Sequence, residues 1–131
     1  QPIVGALTDK INKRFLIIIF LIFHLIWPIL LDNFISNIFI IYFSVIMWGI
    51  ASISLYTVTL AYLGERVKIS DLSIAISVFI IIFEFGEFIG PIITGLIMDK
   101  YGNIGFIYTL LIFAFCSLSI GIIRSLVKYK L

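Results

Sequence analysis

Long apolar stretches dominate the chain and predict its secondary structure. A helix needs roughly 20 apolar residues to cross a hydrocarbon core of about 30 Å. Such stretches occupy residues 15–31, 38–63, 72–98 and 104–123, and the third is interrupted only by Glu84 and Glu87. None shows the polar–apolar alternation of barrel strands, and lipid forces other spanning segments to be helical. The pattern therefore predicts four membrane-spanning α-helices, while residues 1–7 fit the end of a further, truncated helix.

Composition supports this prediction. Of 131 residues, 63% are hydrophobic and 12% charged, against about 45–50% and about 25% in soluble domains. So little charge excludes soluble, disordered and disulfide-stapled classes. The single cysteine, Cys116, cannot form an intramolecular disulfide, and a net charge of +2 does not indicate a nucleic-acid partner. The sequence implies an all-α integral membrane protein. Because it begins with Gln1, we interpret it as a fragment, a processed product or a chain whose start is missing.

Basic residues collect in alternate loops. Eight fall on one predicted side of the membrane, and Lys100 alone falls on the other. Because cytoplasmic loops carry excess Lys and Arg, residues 8–14, 64–71 and 124–131 are predicted to be cytoplasmic. The eight are Lys10, Lys13, Arg14, Arg66, Lys68, Arg124, Lys128 and Lys130.

Two of the spans carry polar residues along one face. At about 100° per residue, these stripes cover roughly 120° of span 38–63 and roughly 80° of span 72–98. The other two spans are apolar nearly all round, as helices facing lipid should be. Trp48, Ser52 and Tyr56 are candidate substrate contacts, although tight packing explains Trp48 and Tyr56 equally well. The stripes comprise Ser44, Trp48, Ser52, Tyr56 and Thr59, and then Ser73, Ser77, Glu84, Glu87, Pro91 and Gly95.

Glu84 and Glu87 are the sharpest chemical signal, since they lie one turn apart near the middle of a span. A carboxylate at that depth costs at least a few kcal/mol and usually faces a cavity or a partner. Two like charges on adjacent turns disfavour double ionisation, which suits proton coupling. Structural carboxylates that bond a helix outside this chain would show the same pattern. Both interpretations stay open at this point.

Small residues beside the carboxylates indicate close packing or a hinge. Gly86, Gly90 and Gly95 remove side-chain bulk, and Pro91 interrupts the backbone hydrogen-bond ladder. Helix packing is the favoured interpretation, with a gating hinge as the alternative. His24, a lone histidine in span 15–31, is interpreted as structural or interfacial rather than as a proton relay.

No enzyme signature is visible in the sequence. There is no nucleotide loop, no metal-ligand cluster and no nucleophile beside a base at motif spacing. We therefore predict neither catalysis nor a cofactor.

Residues 5–14, Gly-Ala-Leu-Thr-Asp-Lys-Ile-Asn-Lys-Arg, resemble the cytoplasmic loop signature of the major facilitator superfamily of secondary transporters, Gly-x-Leu-x-Asp-Arg-x-Gly-Arg-Arg. Lys10 keeps the charge of the usual Arg, and Asn12 replaces a Gly while tolerating left-handed backbone. Residues 86–95 are similar to a pattern on the eleventh helix of drug-antiporter-like members. The resemblance assigns a cytoplasmic gating loop to Gly5, Asp9, Lys10, Lys13 and Arg14.

The resemblance implies the end of helix eight through helix twelve of a twelve-helix fold. Its missing partner would be the N-terminal half of the same transporter, whose helix end Asp9 would cap. The expected function is alternating-access transport of a small solute or drug-like compound, coupled to protons, across a bacterial inner membrane. The alternatives are a four-helix transporter working as an antiparallel dimer, which the basic asymmetry opposes, a non-transporting interaction subunit, or an inactive remnant of a split gene.

Overall fold

Four long helices make up the computed structural model, which describes residues 4–5, 8, 10–33 and 36–127. We label the helices α1 to α4, and a short 3-10 turn at Ile69–Asp71 precedes α3. All four are long and apolar enough to cross a membrane, so the predicted all-α membrane fold is confirmed. The helices are α1, Lys13–Asn33; α2, Ile38–Arg66; α3, Leu72–Tyr101; and α4, Ile104–Val127.

Each predicted span lies inside one of these helices, but the helices run a few residues further into the loops. At residues 64–71, which the sequence predicts to form a loop, α2 continues to Arg66 and the 3-10 turn begins at Ile69. The Val67 amide still donates to the Leu63 carbonyl at 3.2 Å, which closes the last turn. The helix continues through Gly64 beyond the apolar run, because helical hydrogen bonding does not require apolar side chains.

Local chemistry sets two of the helix ends. The side chain of Asn37 accepts hydrogen bonds from the amides of Phe39 and Ile40 at the start of α2. Gly102 ends α3 with φ 68°, a left-handed conformation that favours glycine, and its amide donates to the Met98 carbonyl at 2.7 Å. This reversal is short enough to send α4 straight back along α3.

Helix α1 packs against both α2 and α4, and α3 packs mainly on α4. The buried hydrophobic residues lie on α1, α2 and α4, and α3 has no buried residue. Large apolar side chains elsewhere lie on the outer surface, as expected where lipid replaces water as the solvent. The buried hydrophobic residues are Leu16, Leu21, Leu31, Ala51, Val58, Ile107 and Ala114.

Candidate functional site

The polar stripe of α3 forms one exposed face of the molecule. Glu84 lies about 18 Å from the start of the helix and Glu87 about 21 Å from its end, at 1.5 Å per residue. Both carboxylates are therefore close to the middle of a membrane-spanning helix, and no element among the described residues covers them. Their role in proton coupling stays a prediction. The exposed members of the face are Ser73, Ser77, Glu84, Glu87, Pro91 and Gly95.

The glycines beside these carboxylates have open surroundings. A Cβ atom added at Gly86, Gly90 or Gly95 would meet nothing within 4 Å, and α3 continues through Pro91. Neither the packing role nor the hinge role is tested by this arrangement, so both stay predictions.

Close approaches to a neighbouring helix occur instead at two glycines that the sequence reasoning missed. A Cβ at Gly105 would lie 2.8 Å from the Ile97 carbonyl oxygen, and one at Gly121 would lie 3.0 Å from Cδ1 of Leu21. The first brings α4 against α3, and the second brings α4 against α1. The spacing Gly102-x2-Gly105, directly after an apolar span, was the available signal for the tight turn.

Trp48 and Ser52 lie in the interface with α1 and contact His24. The Nε2 atom of His24 is 2.9 Å from the Ser52 hydroxyl, and the imidazole meets the Trp48 ring edge-on with centroids 6.2 Å apart. His24 is half-buried and its Nδ1 lies 2.8 Å from the Phe20 carbonyl oxygen. The lone histidine therefore has two polar partners within the helix bundle.

Tyr56, the third candidate substrate contact, lies where α2 approaches α3. Its ring makes an edge contact with Phe83 at 4.9 Å and a tilted contact with Phe79 at 5.5 Å between centroids. Phe79 and Phe83 stack on each other at 6.3 Å. Tyr56 thus packs α2 against α3, the helix that carries Glu84 and Glu87.

The basic segment before α1 is tied to the end of α2. Lys13 Nζ is 2.6 Å from Glu65 Oε1 and also donates to the Thr8 carbonyl oxygen at 2.9 Å. Arg14 Nε donates to the Tyr62 hydroxyl at 2.8 Å. The guanidinium groups of Arg14 and Arg66 lie 5.7 Å and 5.2 Å from the centre of the Tyr62 ring.

The remaining signature residues are only partly described. The Gly5 carbonyl oxygen accepts a hydrogen bond from the Thr8 hydroxyl at 2.6 Å, and Lys10 is exposed. Asp9, the carboxylate of the resemblance, lies outside the described residues. A pocket of about 380 Å³ opens here. It is lined by Thr8, Lys10, Ile11, Asn12, Lys13, Tyr62, Glu65 and Arg66.

Sequence reasoning missed Glu65 and Tyr62 as partners of the basic segment. Glu65 is the only acidic residue between Asp32 and Asp71, and it stands at the end of a span beside Arg66. A lone carboxylate at the end of a span, next to a basic loop, was the available signal. Its pairing with Lys13 requires knowing that α1 and α2 pack side by side.

The helix directions gather every described basic residue except Lys100 at one end of the bundle. The Lys13–Glu65 pair places the start of α1 beside the end of α2, and the tight turn at Gly102 makes α4 return toward that same end. Lys100 lies at the opposite end, in the last turn of α3. Lys128 and Lys130 lie outside the described residues.

These features define a helical membrane protein with polar residues in its spans and a cluster of charged contacts at one end. The family model of the Major Facilitator Superfamily matches residues 1–129, and the chain therefore belongs to this superfamily of transporters. This is a family of transporters rather than of enzymes, and it does not favour the alternative of a non-transporting subunit. No curated protein and no solved structure matches the chain.

Proposed function

We propose that this chain is the C-terminal portion, from the end of helix eight to helix twelve, of a proton-coupled transporter. By the resemblance of residues 86–95, it belongs to the drug-antiporter-like branch and moves a small solute or drug-like compound by alternating access. It works in a bacterial inner membrane with its basic end, including the C-terminus, in the cytoplasm. The match to a transporter superfamily supports the general class of this proposal.

The observation that carries the proposal is the exposed polar face of α3. Glu84 and Glu87 lie near the middle of a helix able to span a membrane, and α3 has no buried residue. Carboxylates at that depth are too costly to face lipid, so this face requires protein or a water-filled cavity against it. The N-terminal half of the transporter would cover the face and enclose the pathway between the halves.

The candidate residues take separate roles in this mechanism. Glu84 or Glu87 would bind the coupling proton, and Tyr56, next to α3, would contact the substrate. Trp48 and Ser52 would influence the substrate pathway indirectly, because their contacts are with His24 on α1.

At the cytoplasmic end, the gating loop would stabilise one of the two access states. By the resemblance, Asp9 caps a helix end in the opposite half while Lys13 and Arg14 hold the loop against α2. The Lys13–Glu65 and Arg14–Tyr62 contacts support the second part of this role.

The experiment is uptake into membrane vesicles that carry the full reading frame, energised by an imposed pH gradient. A panel of fluorescent drug-like compounds serves as the probe, read by the accumulation of each dye. Glu84→Gln and Glu87→Gln remove the titrating group with little change in volume. We expect at least one of them to abolish the part of uptake that depends on the pH gradient.

Asp32→Asn is the matched control, because Asp32 is an exposed carboxylate in the last turn of α1. It should leave the pH dependence unchanged. If both Glu variants keep the parental pH profile, neither carboxylate carries the proton. If no compound in the panel accumulates with the parent, the drug-like substrate class is contradicted.

A further inference from the structure

The cavity of about 380 Å³ at the basic end of the bundle is lined by more positive than negative charge. Lys10, Lys13 and Arg66 border it, and Glu65 is the one carboxylate in its described lining. Lys13 pairs with Glu65, so the charge of this carboxylate is already balanced. Lys10 and Arg66 form no ion pair with any residue that the structure describes. Their two positive charges are the ones that a ligand of the cavity would meet.

The charge excess remains positive when the whole neighbouring sequence is counted. Residues 8–14 and 62–68 together contain five basic and two acidic residues. Asp9, which lies outside the described residues, is one of the two acids. Because like charges gathered at one end of a bundle repel each other, an anion bound among them would lower that repulsion.

Arg66 packs against an aromatic ring. Its guanidinium group lies 5.2 Å from the centre of the Tyr62 ring, while the residue as a whole is exposed. A guanidinium on an aromatic face keeps N–H groups for other acceptors, in a planar fork that fits two oxygens of a phosphate. Lys10, exposed at the same cavity, adds an ammonium group that binds phosphate as a point charge. The two side chains together suit a phosphate group.

The cavity lies at the depth of lipid headgroups. The apolar run of α2 ends at Leu63, and Arg66 follows about 4.5 Å further along the helix axis. Each headgroup layer is about 5–7 Å thick, so Arg66 falls within this layer when the apolar run fills the hydrocarbon core. The cavity is also bordered by Ile11, an apolar side chain that is 38% exposed. An exposed apolar side chain beside two cations fits an amphiphile better than a free inorganic anion.

We propose that this cavity, with Lys10 and Arg66 as its phosphate-binding groups, is a site for the headgroup of an anionic phospholipid. Ile11 contacts the glycerol and the first carbons of the acyl chains. A volume of about 380 Å³ lies within the range of small-molecule pockets, about 300–1,000 Å³. Basic pockets between membrane helices bind anionic headgroups in the same way. The site is separate from the face that carries Glu84 and Glu87, and it does not depend on proton coupling.

Competition binding tests the site on the protein from the full reading frame in detergent micelles. The probe is phosphatidylglycerol with a fluorophore on its acyl chain, and its fluorescence anisotropy reports binding. Unlabelled phosphatidylglycerol should displace the probe about fivefold more tightly than phosphatidylcholine, a zwitterionic lipid with the same acyl chains. Equal affinities for the two lipids would overturn the proposal.

Inorganic phosphate separates a lipid headgroup from a free anion. It is added at the same concentration as the competing lipid and compared with chloride at equal ionic strength. We expect the labelled lipid to stay bound, because phosphate alone makes no contact with Ile11. Displacement by inorganic phosphate as effective as that by phosphatidylglycerol would assign the cavity to a free phosphate anion and overturn the lipid assignment.

Arg66→Gln and Lys10→Gln test the two phosphate-binding groups. Each removes one positive charge at an exposed position, so the fold should be retained. We expect each variant to bind phosphatidylglycerol about fivefold more weakly and phosphatidylcholine with nearly the parental affinity. Arg66→Lys keeps the charge but loses the planar fork, so it should recover only part of the binding.

Arg124→Gln and Lys68→Gln are the matched controls. Arg124 and Lys68 are exposed basic residues at the same end of the bundle, outside the described lining of the cavity. Both variants should stay close to the parental affinity for phosphatidylglycerol. An equal loss in the control and cavity variants would show only a general attraction of anionic lipid to a basic surface, and the site would be overturned. The parental preference for phosphatidylglycerol stands as a test even if a variant fails to fold.

Discussion

Lys13 and Glu65 lie 52 positions apart in the sequence and meet at 2.6 Å between Nζ and Oε1. The contact joins the first residue of α1 to the next-to-last residue of α2. Lys13 also donates to the Thr8 carbonyl, so one ammonium group connects the segment before α1 with both helices. The sequence shows only that this loop is basic, whereas the structure shows which groups the Lys13 charge contacts.

Removing either charge of the Lys13–Glu65 pair should lower the free energy of unfolding by a modest amount. The Lys13 side chain is 13% exposed but that of Glu65 is 56% exposed, so water screens the pair. We expect a coupling free energy of about 0.2–1 kcal/mol in a double-mutant cycle of Lys13→Ala and Glu65→Ala. The measurement is the free energy of unfolding in detergent micelles, and the coupling should shrink at high salt.

A charge swap provides the control for that cycle. Lys13→Glu with Glu65→Lys should recover part of the stability that either single reversal loses. Lys68→Ala, at an exposed position just after α2, should show no coupling to Glu65→Ala. Coupling energies equal for Lys13 and Lys68 would mean that the contact contributes nothing specific.

Tyr62 offers a way to separate a hydrogen bond from a ring contact. Tyr62→Phe removes the hydroxyl that accepts from Arg14 Nε but keeps the ring that both guanidinium groups approach. Tyr62→Leu removes both contributions. Thermal unfolding in micelles should rank the parent above Tyr62→Phe and Tyr62→Phe above Tyr62→Leu, with steps of about 0.5–1.5 kcal/mol.

Tyr42→Phe is the control, because Tyr42 is an exposed tyrosine near the other end of α2. It should change the stability by less than about 0.5 kcal/mol. Equal stability of the Phe and Leu variants at position 62 would contradict the ring contribution.

Gly105→Ala should be more damaging than Gly121→Ala or Gly49→Ala. Its Cβ would lie 2.8 Å from the Ile97 carbonyl oxygen and 2.9 Å from the Cα of Met98, which are backbone atoms that cannot move aside cheaply. We expect a loss of about 1–3 kcal/mol of unfolding free energy. Gly121→Ala should cost less, because its close neighbour is the flexible end of Leu21 at 3.0 Å.

Gly49→Ala sets the baseline for both, since a Cβ there meets nothing within 4 Å. Alanine is also the better helix former, so this change should be neutral or slightly stabilising. A Gly105→Ala variant as stable as Gly49→Ala would show that α4 does not approach α3 as closely as described.

The ring of Tyr56 should stabilise the packing of α2 against α3. Tyr56→Ala removes the contacts with Phe79 and Phe83, and we expect about 0.5–1.5 kcal/mol of loss beyond the change in buried area. A broader distribution of spin-label distances between the two helices should accompany it. Tyr56→Phe keeps the rings and should retain the parental distances, whereas loss of uptake in Tyr56→Phe would assign the hydroxyl to the substrate.

The polar stripe on α3 shows how much of the candidate site can be predicted from helical periodicity. Spacing alone placed Glu84 and Glu87 on one face, since residues three apart share a side of any helix. The structure places this face on the exterior of the described chain. The stripe on α2 behaves differently, because Ser52 meets α1 whereas Tyr56 meets α3. One helical face can meet two neighbours, and periodicity does not say which helix lies opposite each position.

The sequence by itself determined the membrane class and the four helices, because these follow from the length of apolar runs and from the backbone's need for internal hydrogen bonds in lipid. It also determined which residues share a helical face. Only the tertiary structure decided that His24 meets Ser52, that Lys13 meets Glu65, and that Gly105 rather than Gly86 sits at a close approach. Such pairings depend on the directions, rotations and neighbours of packed helices, which side-chain shape sets across long separations in the chain.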